Sequence, residues 1–207
     1  MNANIHVGAV INIVPDPSII LTTPRGIPVL DYLQHRRPNV NYADLLEVVI
    51  QVAKGLVHCH DLGILHGRVR CSNVLVDEDG LIKLVDVASY LLHSDEGYDV
   101  GDVVFWTAPE LLANRDGSVS PTSATDVYSL AMTILEIFTG APPFSEFKPR
   151  ATSFVFRMEW RPGMIPLLRK PPGIPLDLWN ILQACWDWDA PLRPTASSVL
   201  RQLEALA

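Results

Sequence analysis

Proline divides this chain more sharply than any other residue. Of the seventeen prolines, five occur by Pro38, none lies between Asn39 and Ala108, and twelve follow from Pro109 onward. Proline removes a backbone donor and breaks helix interiors, so only the middle stretch can carry long uninterrupted elements. The eight prolines from Pro142 to Pro175 leave that segment to short turns and loops. The proline-free stretch opens with Asn41-Tyr42-Ala43-Asp44, an N-cap followed by an acidic N3 residue. It then places Leu45, Val49, Val52 and Leu56 at helical spacing. Leu46, Ile50 and Val57 widen that stripe, which predicts a largely buried helix ended by Gly63.

Two β-rich runs, Val74–Val76 and Leu81–Val85, flank Asp77-Glu78-Asp79-Gly80 and read as a hairpin. Val87 to Trp106 has no clear periodicity and reads as a long surface loop, a kind of segment that compact domains often keep for function. A second helix is expected from a capping box at Ser123 to Asp126, through Tyr128, Leu130, Ile134, Ile137 and Phe138, to Gly140. Apolar residues occur on nearly every face of it, the mark of a central helix. Leu176 to Trp186 and Thr195 to Ala205 are the last expected helices. Upstream, Ile5–Ile13 and Ser18–Thr23 read as strands joined across Pro15-Asp16-Pro17. The order predicts a mostly helical α+β fold.

With 207 residues and 48% apolar content, the chain suits one folded domain, or part of a larger one. Its 16 basic and 23 acidic residues leave a net charge of −7, which argues against nucleic acid or an anionic membrane surface as partner. Met1 to Thr23 has no lysine or arginine ahead of an apolar run, so no secretory signal is expected. Val127–Leu135, the most apolar helical segment, is far shorter than the roughly 20 residues of a membrane span. Cys59, Cys71 and Cys185 are odd in number and widely spaced; they describe no disulfide framework and suit a reducing, cytoplasmic location.

The chemistry concentrates between residues 66 and 110. His66-Gly67-Arg68-Val69-Arg70-Cys71-Ser72-Asn73, followed by Val74-Leu75-Val76, resembles the catalytic loop of protein kinases, His-Arg-Asp-Leu-x-x-x-Asn. Four further resemblances follow in the family's order. Asp86-Val87-Ala88 stands where kinases carry Asp-Phe-Gly, and Ala108-Pro109-Glu110 matches the end of their activation segment. Asp126-Val127-Tyr128-Ser129 resembles the start of the family's large central helix, and Cys185-Trp186 with Arg193-Pro194 resembles its C-terminal helices. His66-Gly67 in place of His-Arg, and a Trp before Thr107-Ala108-Pro109-Glu110, resemble the tyrosine-kinase-like group. The resemblance implies a kinase-like C-lobe with only the last strands of the N-lobe: residues 1–23 as a residual strand pair and 24–207 as the C-lobe.

The departures from the pattern bear on chemistry. The phosphate-covering Gly-x-Gly is absent from the twelve glycines. The tripeptide Val52-Ala53-Lys54 lies inside the long helix, downstream of where the family's nucleotide lysine belongs. The resemblance therefore places the glycine loop, lysine strand and glutamate helix outside this chain. Arg68 stands at the position of the proton-accepting aspartate, and a guanidinium has five donors and no acceptor. Arg70 replaces the usual lysine two positions on, a cation of different geometry. Asn73 and Asp86 keep the side chains that hold Mg²⁺ in the family, with Arg68 opposing a cation beside them. Ala88 replaces the glycine that gives this loop unusual dihedrals. By resemblance, Glu110 and Arg193 form the ion pair that fixes the activation segment, Asp126 holds the catalytic-loop backbone, and His66 braces the loop. Adenine would meet the hinge-like segment Thr23-Pro24-Arg25-Gly26, so Thr23, Arg25 and Gly26 complete the expected nucleotide contacts with Asp86.

Simpler readings compete at several places. His58, Cys59, His60, His66 and Cys71 match no zinc spacing. Tyr90, Ser94, Tyr98 and Thr107 are more simply solvated hydroxyls than phosphosites, the tryptophans are packing residues, and Asp77-Glu78-Asp79 is a polar turn. The resulting expectation is a catalytically inactive kinase-like chain acting as a protein-interaction or regulatory module, with ATP and Mg²⁺ weakly bound or absent. It would take a protein partner, with a homo-oligomer through an exposed strand edge as one form. The alternatives are a piece of an active, ATP-dependent Ser/Thr or Tyr kinase, and a degenerating duplicate without function.

Overall fold

Asn41 sets the start of the longest helix. Its side chain accepts from Asp44 N–H at 3.1 Å while the Asp44 carboxylate accepts from Asn41 N–H at 3.2 Å, a reciprocal capping box. The computed structural model describes residues 12–13, 19–20, 26–35, 40–87, 104–113, 119–145 and 169–207.

In chain order the strands are β1 (Asn12–Ile13), β2 (Ile19–Ile20), β3 (Ile27–Pro28), β4 (Val74–Val76) and β5 (Ile82–Leu84). The helices are α1 (Val29–His35), α2 (Tyr42–Asp61), α3 (Pro109–Ala113), α4 (Ser123–Thr139), α5 (Leu176–Cys185) and α6 (Ala196–Glu204). Short 3-10 turns cover Cys71–Asn73 and Ala190–Leu192. The fold is α+β and mostly helical.

Two antiparallel sheets form. β1 pairs with β2, Asn12 opposite Ile20; of the longer strands expected at Ile5–Ile13 and Ser18–Thr23, the other residues lie outside the described ones. The second sheet has the order β3-β4-β5, with Val74 opposite Leu84, Val76 opposite Ile82, and Ile27 opposite Val76. The hairpin turn is held by Asp77, whose carboxylate accepts from Asp79 and Leu81 N–H and pairs with Lys83 at 2.9 Å. The sequence shows no sign of β3 and α1: Ile27-Pro28 is too short for a periodic signal, and its pairing with β4 depends on residues nearly fifty positions away.

α4 is the axis of the molecule. Its residues from Thr125 to Ile137 are all buried, and α2 and α5 both pack against it. The cap differs from the expected one. Thr122, not Ser123, is the N-cap, with Thr125 at N3. Both hydroxyls accept from the other's backbone N–H, so a threonine does what an acidic N3 residue does elsewhere. α2 lies against α6, β5 and α4. Its Val49, Val52 and Leu56 are 0% exposed, and burying each such side chain contributes about 1.5–3 kcal/mol. Lys54, on the same helix, pairs at 3.3 Å with Glu204 of α6, its charge directed to the helix partner. The loop expected at the surface from Val87 to Trp106 is buried at both described ends: Val87, Val104 and Trp106 are 5%, 1% and 9% exposed. The residues between, 88–103, lie outside those described, as do 146–168 of the proline-rich stretch.

Gly26 marks where the chain enters β3. At its φ of 156° a Cβ would stand 2.8 Å from the Val76 carbonyl oxygen and 3.1 Å from Leu75 Cβ, both fixed in β4. Gly26→Ala should therefore cost about 1–3 kcal/mol, the usual range for overpacking. Urea denaturation of the two chains measures it, and an unchanged midpoint would remove the constraint.

Candidate functional site

Asp126, in the first turn of α4, is 1% exposed and gathers the loop of residues 66–73. Its Oδ1 accepts from Gly67 N–H at 2.7 Å; its Oδ2 accepts from His66 N–H at 2.8 Å and lies 2.9 Å from His60 Nε2. The loop can present two successive N–H groups to one carboxylate because Gly67 turns at φ 78°, a conformation glycine adopts without a Cβ penalty. In the sequence His60 reads only as part of a cysteine–histidine cluster. No group of three or more His, Cys, Asp or Glu residues among the described residues could hold a metal ion.

His66 is fully buried, and its Nδ1 accepts from Arg68 N–H at 3.2 Å. That bond puts the proton of a neutral ring on Nε2, which has no hydrogen-bond partner among the described residues. Burial lowers the His66 pKa below the usual histidine value, against the opposing pull of Asp126 and Asp86.

Beyond His66 the loop brings Arg68, Asn73 and Asp86 together. Asn73 Nδ2 donates to the Arg68 carbonyl at 2.8 Å and lies 3.4 Å from Asp86 Oδ2. Arg68 Nη1 stands 3.5 Å from that same Oδ2. Asp86 sits just past β5, where Val85 N–H donates to the Asn73 carbonyl at 2.9 Å, and it adopts the left-handed region at φ 63°. Non-glycine residues held there store strain of order 1–3 kcal/mol, which surrounding contacts must overcome. Asn73 and Asp86 are the side chains here that could hold a cation, and both already face Arg68.

A second buried carboxylate fixes the far end of the loop. Glu136 of α4 accepts from Cys71 N–H at 3.2 Å and from Trp106 Nε1 at 3.0 Å, tying the loop to the turn before α3. Burial raises the Glu136 pKa; its hydrogen bonds and the charge of Arg70 oppose the rise. Ser129 Oγ donates to the Trp106 carbonyl at 2.7 Å. Sequence reasoning missed Glu136, Trp106 and Ser129 as positioning residues. The available signal was a carboxylate and a serine inside an otherwise apolar helix.

Glu110 and Arg193 meet in a bidentate pair at 2.7 and 2.8 Å, joining α3 to the turn before α6. The Arg193 side chain is fully buried; it also donates to the carbonyls of Asp187 and Ala124 and lies over the Tyr128 ring at 5.2 Å. Thr23 and Arg25 lie outside the described residues, and so does Ala88. Gly26 lines an open groove of about 750 Å³ with Ile27, Tyr32 and the acidic hairpin turn, a groove that contains neither Asn73 nor Asp86. A cavity of about 20 Å³ lies next to Arg68 and Arg70, bounded by Trp106, Thr107 and Ser129. That is room for about one water molecule.

The family profile described as protein tyrosine and serine/threonine kinase matches residues 5–203. Mitogen-activated protein kinase kinase kinase 3 of Arabidopsis thaliana is 31% identical over 169 residues, covering 80% of this chain and 29% of its own length. Serine/threonine-protein kinase dst2 of Dictyostelium discoideum is 28% identical over 178 residues, 85% of this chain and 15% of its own. A Saccharomyces cerevisiae relative, serine/threonine-protein kinase BCK1/SLK1/SSP31, is 32% identical over 162 residues, 72% of this chain and 10% of its own. The chain thus spans less than a third of the length of each of these relatives.

Two measurements check this geometry. Glu110→Ala leaves the buried guanidinium of Arg193 without its carboxylate and should cost about 3–5 kcal/mol in urea denaturation; a loss under 1 kcal/mol would show the pair to be dispensable. His66 has a folded pKa below its unfolded value, so the unfolded chain takes up the proton first as pH falls. Its contribution is intact above about pH 6.5 and is lost as pH falls below that value. In His66→Asn, which keeps an acceptor for Arg68 N–H, the slope of stability against pH just below that point should shrink.

Proposed function

The chain belongs to the protein tyrosine and serine/threonine kinase family, and from that membership we propose that it is a member without phosphotransfer activity, working as a protein-interaction or regulatory module. The observation that carries this reading is the guanidinium of Arg68 at the position from which a kinase aspartate accepts the substrate hydroxyl proton. Arginine has no acceptor and stays protonated at neutral pH. A positioned base contributes about 10²–10⁴-fold to such a reaction, and the neighbouring carboxylates are already engaged. Asp126 is buried under three donors. Asp86 faces Arg68 and Asn73, and Glu136 is tied to Cys71 and Trp106.

Under this reading residues 24–207 are the lower lobe of a kinase and 1–23 a strand pair of its upper lobe. Trp106, before Thr107-Ala108-Pro109-Glu110, favours a tyrosine-kinase-like ancestry. ATP and Mg²⁺, which the family uses, bind weakly or not at all. The partner is a protein rather than nucleic acid, in keeping with a net charge of −7. At the edge of the three-stranded sheet, Ile27 is 37% exposed and offers that partner an apolar contact. Three buried cysteines, none in a disulfide, suit the cytoplasmic location we propose. No helix among the described residues is long and apolar enough to cross a membrane.

A second reading, a piece of an active Ser/Thr kinase, is favoured by the names of the relatives. One assay separates the two. The longest natural chain containing these residues is incubated with radiolabelled Mg²⁺-ATP and a generic substrate protein, beside its Asp86→Ala variant. The expected result is the same background in both. Label transfer that Asp86→Ala abolishes would establish the second reading.

A further inference from the structure

In the family, phosphoryl transfer runs through a divalent cation held by the residues at the positions of Asn73 and Asp86, so the orientation of those two side chains decides whether the ion fits. Mg²⁺ takes hard oxygen ligands in near-octahedral geometry. Asp86 directs Oδ2 at the guanidinium of Arg68, 3.5 Å away. Asn73 directs its amide nitrogen, not its oxygen, toward Asp86, at 3.4 Å. This orientation is dictated chemically: the same nitrogen lies 2.8 Å from the Arg68 carbonyl, and a carbonyl can only accept. The Asn73 nitrogen and Asp86 Oδ2 are thereby engaged, and with a guanidinium already beside Asp86 the pair does not suit a divalent ion as it stands.

We propose that Arg68 is the resident cation of this site, a covalently tethered charge standing in for the metal. Its backbone carbonyl orients Asn73, and its guanidinium neutralises Asp86 and joins the turn after β5 to the loop. One residue therefore supplies both connections. The pair of Arg68 and Asp86 is already neutral, so an added divalent ion would bring uncompensated charge to a locus where a cation is present. The chain consequently has no affinity of its own for Mg²⁺ or Mn²⁺ at this site, and deleting the guanidinium creates such affinity.

The inference deepens the reading proposed above and rests on the same placement of Arg68, yet it is tested without nucleotide, so the two fail separately. Mn²⁺ is titrated into the whole chain and the free ion is followed by electron paramagnetic resonance, with thermal shift in parallel. The unaltered chain and Arg68→Lys should show no saturable binding up to millimolar Mn²⁺. Arg68→Ala should bind at least tenfold more tightly, and Arg68→Ala combined with Asp86→Asn should lose that gain. Should Arg68→Ala fail to fold, Arg68→Gln tests the same step. Saturable binding by the unaltered chain that Asp86→Asn removes would overturn the proposal, as would folded Arg68→Ala or Arg68→Gln chains that bind no better than the unaltered one.

Discussion

One carboxylate organises this molecule. Asp126 sits at the head of a helix that is buried from Thr125 to Ile137, and there it receives two consecutive loop N–H groups and meets a histidine from a second helix. Without these donors an ionised carboxylate this deeply buried would be costly; with them it fixes three elements at once. Hydrogen bonds to a charged acceptor are each worth about 1.5–3 kcal/mol, more than neutral ones. The loop cannot move relative to α4 without breaking two of them together. The position of Arg68, one residue beyond, follows from that anchoring.

Two further carboxylate contacts extend the frame in opposite directions. Glu136, nearly three turns along the same helix, catches the other end of the loop at Cys71 and the indole of Trp106. Glu110 closes the frame from α3 by gripping Arg193 beside the last helix. What the family uses as a platform for chemistry is therefore intact as a platform: the loop is held at both ends, and the segment leading to α3 is clamped. Under the proposed reading the change at residue 68 falls on a frame anchored by these contacts, so it alters charge and hydrogen-bonding capacity at that place.

Most of the fold is legible in the sequence. The helices α2, α4, α5 and α6 and the β4–β5 hairpin follow from local signals: apolar spacing, caps, and a turn of Asp and Gly. Arg68, Asn73 and Asp86 lie within nineteen positions of one another, and their proximity in the fold follows from the short hairpin between them. What was not legible depends on distant partners. β3 exists only through its register with β4, and α1 follows directly from it. His60 looked like part of a metal-like cluster because its acceptor, Asp126, lies sixty-six residues on. The N-cap of α4 was displaced by one residue because Thr125 supplies the reciprocal hydroxyl, a role that sequence patterns assign first to Glu or Gln.

Replacing a carboxylate by a guanidinium is more than the removal of a base. At an effective dielectric near 20, two unit charges about 4 Å apart interact by roughly 4 kcal/mol, and a divalent ion feels about twice that. Solvent at the partly exposed Asp86 reduces the figure, but not its sign. An aspartate at residue 68 would add attraction for a cation to that of Asp86; an arginine cancels it. Under the proposed reading this single substitution withdraws the proton acceptor and opposes the metal in one step, while Asn73 keeps its bond to the backbone carbonyl of residue 68 and Asp86 gains a guanidinium neighbour. A neutral residue at this position would remove the base without adding a counter-charge, leaving Asp86 with Asn73 as its hydrogen-bonding neighbour.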